Sequence, residues 1–279
     1  MHKFIIGMVI TLCVSMKSIF AMDITFLPQA NDNLTAIESS KNDVRRQTDQ
    51  AKTFTQSQGV SFRDNVVKLQ KRFASLNVEP LENRARYSQD HVSPGVDYVN
   101  DDDFKNMGFD FMQKNIPIPL TQFEQFKVFD VEYEKSVTEE KDASGNLKKN
   151  VPVKTMSAVV KIGRTAFGLP VFNSYASIGF NALDRNVFYL DVNNWNSVNL
   201  VPHEYQSKMS SAHIKETISN KIRALANSMP NTASIEIKEA VFGWNTDQNG
   251  ALVPAVIYHG TERNKDGTTG SSFCSIDTL

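Results

Sequence analysis

The sequence predicts an α+β protein: a helical N-terminal region followed by an antiparallel β-sheet with one packed α-helix. Three observations predict it. Before residue 80, apolar residues recur at helical intervals of three, four and seven. After residue 123 the dominant period becomes two, broken by turn residues. A single further helical line, Ile214, Ile218, Ile222 and Leu225, interrupts the strands.

Phe4–Met16 is an apolar run behind His2 and Lys3, followed by Lys17-Ser18-Ile19-Phe20-Ala21. It is too short to span a bilayer and has the layout of a secretory signal peptide. Residues 1–21 are therefore expected to be a leader, and the mature chain to be secreted or periplasmic. Removing Lys3 and Lys17 turns 30 basic residues into 28 against 31 acidic ones, a mature charge of about −3. This balance gives no basic face for nucleic acid. No second apolar run reaches spanning length, so no transmembrane segment is expected in the mature chain.

Asp23–Leu34 reads as a loose polar leader, with a glycosylation-type triplet at Asn33-Leu34-Thr35. Ile37, Val44, Ala51 and Phe54 form a sparse helical stripe that Gly59 stops. Phe62, Val66, Leu69, Phe73 and Leu76 make a denser seam flanked by Arg63, Lys68, Lys71 and Arg72, suited to packing or to an anionic membrane surface. Asp101-Asp102-Asp103 is read as capping a helix that begins at Phe104. Ile116-Pro117-Ile118-Pro119 rejects helix and sets the boundary between a helical region, 22–115, and a second region, 116–279.

Phe129, Val131 and Tyr133 alternate with Asp130, Glu132 and Glu134, a strand with its aromatic side buried. Val151–Gly163 returns from the turn at Asp142–Asn146. Pro170–Phe180 and Val187–Val192 follow, with residues 181–186 turning between them. Ser210 and Ser211 can cap the helix that ends at Met229-Pro230. Strands through Ile235–Trp244, Leu252–His259 and Cys274 close the chain, with turns at Asn249-Gly250 and Asp266-Gly267. Pro254 points to a sheet edge or a bulge. With Cys13 in the leader, Cys274 has no intramolecular partner and reads as a small buried hydrophobe.

The chemical motifs each fail at a nameable position. His203-Glu204 opens like a zinc-protease helix, but Ser207 stands where the second histidine belongs. His213 and Glu216 read as a surface pair. Asn245–Gly250 opens like a calcium loop, yet the twelfth position is Val256. There is no Gly-x-Ser-x-Gly elbow and no phosphate-binding glycine loop. Alternate carboxylates such as Asp130 and Glu132 face solvent and give glycosidase chemistry no support. No catalytic residue, cofactor or metal site is assigned.

One stretch carries a resemblance: Arg164, the corner Gly168-Leu169-Pro170-Val171, Ser174 and Ile178, the strand Val187–Val192 running towards Trp195, the helix of 210–227, and Leu252-Val253-Pro254-Ala255. Over residues 163–260 the chain resembles the PepSY and thermolysin-propeptide (FTP) modules of secreted bacterial proteins. It departs from them at Asn173, where the family usually has glycine, and no peptidase domain follows. The resemblance implies a non-catalytic binding module of the kind that inhibits or chaperones a secreted peptidase. Arg164, Gly168, Pro170, Trp195 and Pro254 are then the structural or partner-binding residues, and the Pro254 strand the edge that pairs with an extended partner segment. The alternatives are a secreted hydrolase with a site assembled from dispersed residues, or a virulence-type factor using its N-terminal helices on a host or membrane surface.

Overall fold

The computed structural model describes residues 22–51, 62–79, 83–90, 94–116, 123–136, 144–145, 153–195, 198, 205–225, 228–247 and 250–279. The leader, Phe54, Gly59, the Ile116–Pro119 boundary beyond Ile116, most of the 142–146 turn, His203 and Asn249 lie outside these residues. The fold is α+β, built on one ten-stranded mixed sheet.

The described elements are β1 (Asp23–Phe26), α1 (Pro28–Ala51), α2 (Phe62–Arg72), β2 (Asn77–Glu79), β3 (Arg84–Ser88), α3 (Asp101–Asn115), β4 (Glu124–Ser136), β5 (Lys154–Ala166), β6 (Leu169–Asn181), β7 (Val187–Asn193), α4 (Tyr205–Lys208), α5 (Ser211–Leu225), β8 (Thr232–Thr246), β9 (Leu252–Asn264) and β10 (Thr269–Thr278). One path through the sheet runs β10-β9-β8-β6-β7-β3-β2, with β4 and β5 joined through β6, and β1 beside β8. Most pairings are antiparallel; β1 with β8 and β6 with β8 are parallel.

The N-terminal region is not purely helical. Asp23–Phe26, expected as a loose leader, pairs with Ser234–Ile237 of β8. Pro28 then opens α1 at a first-turn position where its missing N–H costs no hydrogen bond, and Ala30 and Leu34 are fully buried. β2 and β3 extend the sheet beyond β7. The cap of α3 is Asn100, whose side chain accepts from the Asp102 N–H, so the three aspartates lie inside the first turn, where the helix dipole favours them.

Two cores lie against the sheet. In the first, α1 and α5 cover β8 and β9, bringing Leu34, Val44, Ile214 and Ile218 against Ile235, Phe242, Trp244 and Tyr258. In the second, α2 and α3 cover β5, β6 and β7, with Leu69, Phe104 and Met112 against Val160, Ile162, Ile178 and Leu190. Each core draws on residues from both sides of residue 115. The α5 seam buries Ile214, Ile218 and Ile222 as the spacing predicts, and Ser210 Oγ caps it by accepting the His213 N–H.

The two halves meet on β6. Gly163 of β5 pairs with Tyr175, but its neighbour Arg164 pairs with Val171, so Phe172, Asn173 and Ser174 bulge out of the ladder. At that point Val171 also pairs with Trp244 of β8. A bulge bends a strand and re-aims its side chains, and here it hands β6 from one half-sheet to the other. The Asn173 side chain completes the joint: its amide donates to Thr246 O at 2.7 Å, and its oxygen accepts from Thr246 N at 2.8 Å. It substitutes for the backbone pairing that the bulge removes.

Candidate functional site

The face of the sheet turned away from the helices carries a groove of about 810 Å3 that crosses β4, β5, β6, β8 and β9. Its aromatic lining is held by glycines on neighbouring strands. A Cβ on Gly163 would sit 2.0 Å from the Phe129 ring, and one on Gly243 would sit 2.8 Å from the Phe172 ring. Each ring therefore fills the space that a side chain on the glycine would take, the arrangement by which aromatics cover strand glycines. Phe172 can do so because it belongs to the bulge.

Phe129 is the clearest departure from the sequence expectation. Simple alternation buries it with Val131 and Tyr133, yet it is 54% exposed. The register slips between Val128 and Asp130, making Phe129 the extra residue on β4. That slip sends its ring to the groove while Val128, Val131 and Tyr133 pack on the second core.

Tyr175 and Ile257 add apolar surface between the two rings and the β9 end of the groove. Charge is divided between the flanks. Lys127 and Lys161 stand on β4 and β5; Lys127 Nζ lies 5.8 Å from the centre of the Phe129 ring, and Lys161 bridges to Glu132 and Asp130. Glu239 and His259 stand on β8 and β9, directly opposite each other in register. An apolar floor with a few charged groups at its margins is the usual make-up of a binding cleft.

Beyond β6 the same face holds a polar cluster. Arg84 grips Asp191 through two parallel hydrogen bonds of 2.8 and 2.5 Å, and Arg86 pairs with Glu79 at 3.0 Å. The bond to Asp191 holds the Arg84 guanidinium above its ordinary value. Burial raises the Tyr175 and Tyr189 phenols, and the Asp191 carboxylate adds to it, so both remain neutral hydroxyls at physiological pH.

Of the residues singled out in the sequence, Pro170 lines the groove, and the others lie on the covered face or in a turn. Arg164 is fully buried at the junction of the two cores, its Nη1 3.5 Å from Glu124 Oε1 and its guanidinium 5.8 Å from the centre of the Trp195 ring. Burial lowers its pKa to about 10 while Glu124 opposes the shift, so it keeps its charge at neutral pH. Trp195 is fully buried and stacks on Phe126 at 5.3 Å. Gly168, at φ 76°, forms with Phe167, at φ 54°, the two-residue turn joining β5 to β6, a geometry that demands positive φ at both positions. Pro170 pairs with Thr165 and brings its carbonyl against Gly243.

Pro254 does not mark an edge. β9 is flanked by β8 and β10, with Pro254 opposite Trp244 and its carbonyl accepting from Leu279 N–H. A residue's N and O point to the same side of an antiparallel strand. The missing N–H of Pro254 thus faces the flank where β10 runs out, and no inner ladder bond is lost. Among the described residues the sheet edges are β10, β4, β1 and β2. Cys274, expected to be buried, is a free and exposed thiol on β10, opposite His259.

Among the described residues no group of three or more histidines, cysteines or carboxylates is placed to hold a metal ion. Among them, too, no helix is long and apolar enough to cross a membrane. Neither the family models nor the curated proteins contain a match to this chain.

Proposed function

We propose that this chain is a secreted, non-catalytic binding module that takes an extended polypeptide segment across the groove on its open sheet face, with a secreted peptidase as the partner class. The single observation that carries the reading is the pair of aromatic rings, Phe129 over Gly163 and Phe172 over Gly243, in an apolar groove with charged flanks. Aromatic anchors with charged rims are what a polypeptide-binding surface needs. The signal-like leader supplies the compartment, and the PepSY/FTP-like stretch supplies the partner class. In this reading Arg164, Gly168 and Trp195 act indirectly, building the joint that carries the groove, while Pro170 also lines it.

The test incubates purified mature protein with a panel of secreted metallopeptidases and measures residual activity and complex formation. Inhibition or a stable complex, weakened in Phe129→Ala and Phe172→Ala, supports the reading. Absence of both inhibition and complex across the panel overturns the peptidase assignment.

A further inference from the structure

We propose that β10 is a self-association seam, at which β10 of one copy pairs antiparallel with β10 of a second copy about Cys274. Exposed strand edges are normally blocked by shortness, by charge or by proline. β1 has four residues and β2 three. β4 is long but carries Lys127, Asp130, Glu132, Glu134 and Lys135. β10 has ten residues, Thr269–Thr278, with no lysine, arginine or proline among them. Its one charge, Asp277, is tied inward by the Tyr258 hydroxyl at 2.7 Å and Lys221 at 3.3 Å.

The register tells which groups are available. Leu279 N–H donates to Pro254 O, and the pairing is regular from Ser272 onward, so Phe273, Ser275 and Asp277 point their backbone groups at β9. Ser272, Cys274, Ile276 and Thr278 point theirs away from it. A two-fold pairing centred on Cys274 therefore makes that residue a hydrogen-bonded pair with itself, Cα atoms about 5.5 Å apart. That separation lies within the range a disulfide spans. It also sets Ser272 against Ile276, and Asp277 against Ser271, with no like charges opposed.

The geometry provides a chemical readout. Oxidised glutathione, a low-molecular-weight disulfide, accepts the electrons: one Cys274 thiolate displaces a glutathione thiol to give a mixed disulfide. Cys274 of the second copy then displaces the other glutathione, so one inter-chain S–S bond forms and two glutathione thiols are released. Non-reducing electrophoresis of the mature protein follows the covalent dimer, and sedimentation of reduced protein follows the non-covalent one. Ile276→Pro removes only an N–H that points away from β9, and Ser272→Lys places a charge on the free edge; circular dichroism checks that each is folded. The expected result is a covalent dimer in the wild type, with its rate of formation reduced about tenfold or more in either folded variant, because pre-pairing raises the local thiol concentration. A wild type that stays monomeric with and without oxidant overturns the proposal. So does cross-linking that proceeds at an unchanged rate in Ser272→Lys.

Discussion

Arg164 and Glu124 face each other at 3.5 Å in the seam between the two cores, with side chains 0% and 3% exposed. The pair joins β5 to β4 at the register position where β6 begins its bulge. Its role is positional: a charge this deep tolerates few geometries, so it holds the joint that presents Phe172 and Gly163 to the groove. Removing one partner leaves the other charge buried. Arg164→Met or Glu124→Leu is expected to cost about 3 to 5 kcal/mol, while the double apolar replacement costs far less or stabilises. Urea denaturation of the three variants checks this, and near-equal losses in single and double variants would contradict it.

The joint is equally sensitive to its glycine. A Cβ on Gly243 would lie 2.4 Å from Pro170 O, a backbone atom that cannot step aside without moving β6. Gly243→Ala is therefore expected to destabilise by about 1 to 3 kcal/mol. At Gly163 the clash is with the half-exposed Phe129 ring, which can swing into solvent. Gly163→Ala should lower the melting temperature less than Gly243→Ala and yet impair the groove. Thermal melts paired with a binding assay separate the two effects.

Alkaline pH tests the β9–β10 contact. Tyr258, 2% exposed and donating to Asp277, has its phenol pushed up to about 12, by burial first and by the hydrogen bond second. A folded-state value raised above the ordinary one, about 10, gives stability that is complete below about pH 10. It is lost as pH rises through 12. Tyr258→Phe should flatten the fall in stability over that window, as followed by denaturant midpoints at successive pH values, and an unchanged slope would contradict the assignment.

The groove makes its own demand. Phe129 and Phe172 are anchors on neighbouring half-sheets, so truncating either to alanine should weaken partner binding by about tenfold or more, the effect expected of an aromatic hot spot. Lys161→Ala should act mainly on the association rate and its salt dependence, because it stands at the charged margin. Calorimetry and stopped-flow mixing would distinguish the two classes.

The legible parts of the fold were those encoded over short range. Residues 169–181, 187–193 and 211–225 show closely in the sequence because period and turn chemistry are local properties. β1, β2 and β3 leave no signal because four, three and five residues are too few to show a period, and the β8 partner of β1 and the β7 partner of β3 lie far along the chain. The candidate site was almost wholly illegible for the same reason. One extra residue on β4 turned Phe129 outward, and three on β6 did the same for Phe172; register slips leave no mark in composition. Asn173 was visible as a departure from glycine, but its amide pairing with Thr246 depends on a contact 73 residues away.

The most direct measurement is hydrogen–deuterium exchange of the protein alone and in complex with a captured peptidase or its extended segment. Binding across the open face predicts added protection in the strands that carry the groove, at residues 127–129, 161–163, 172–177 and 257–259. Protection confined to α1, α2 or α5, with those strands unchanged, would contradict the account.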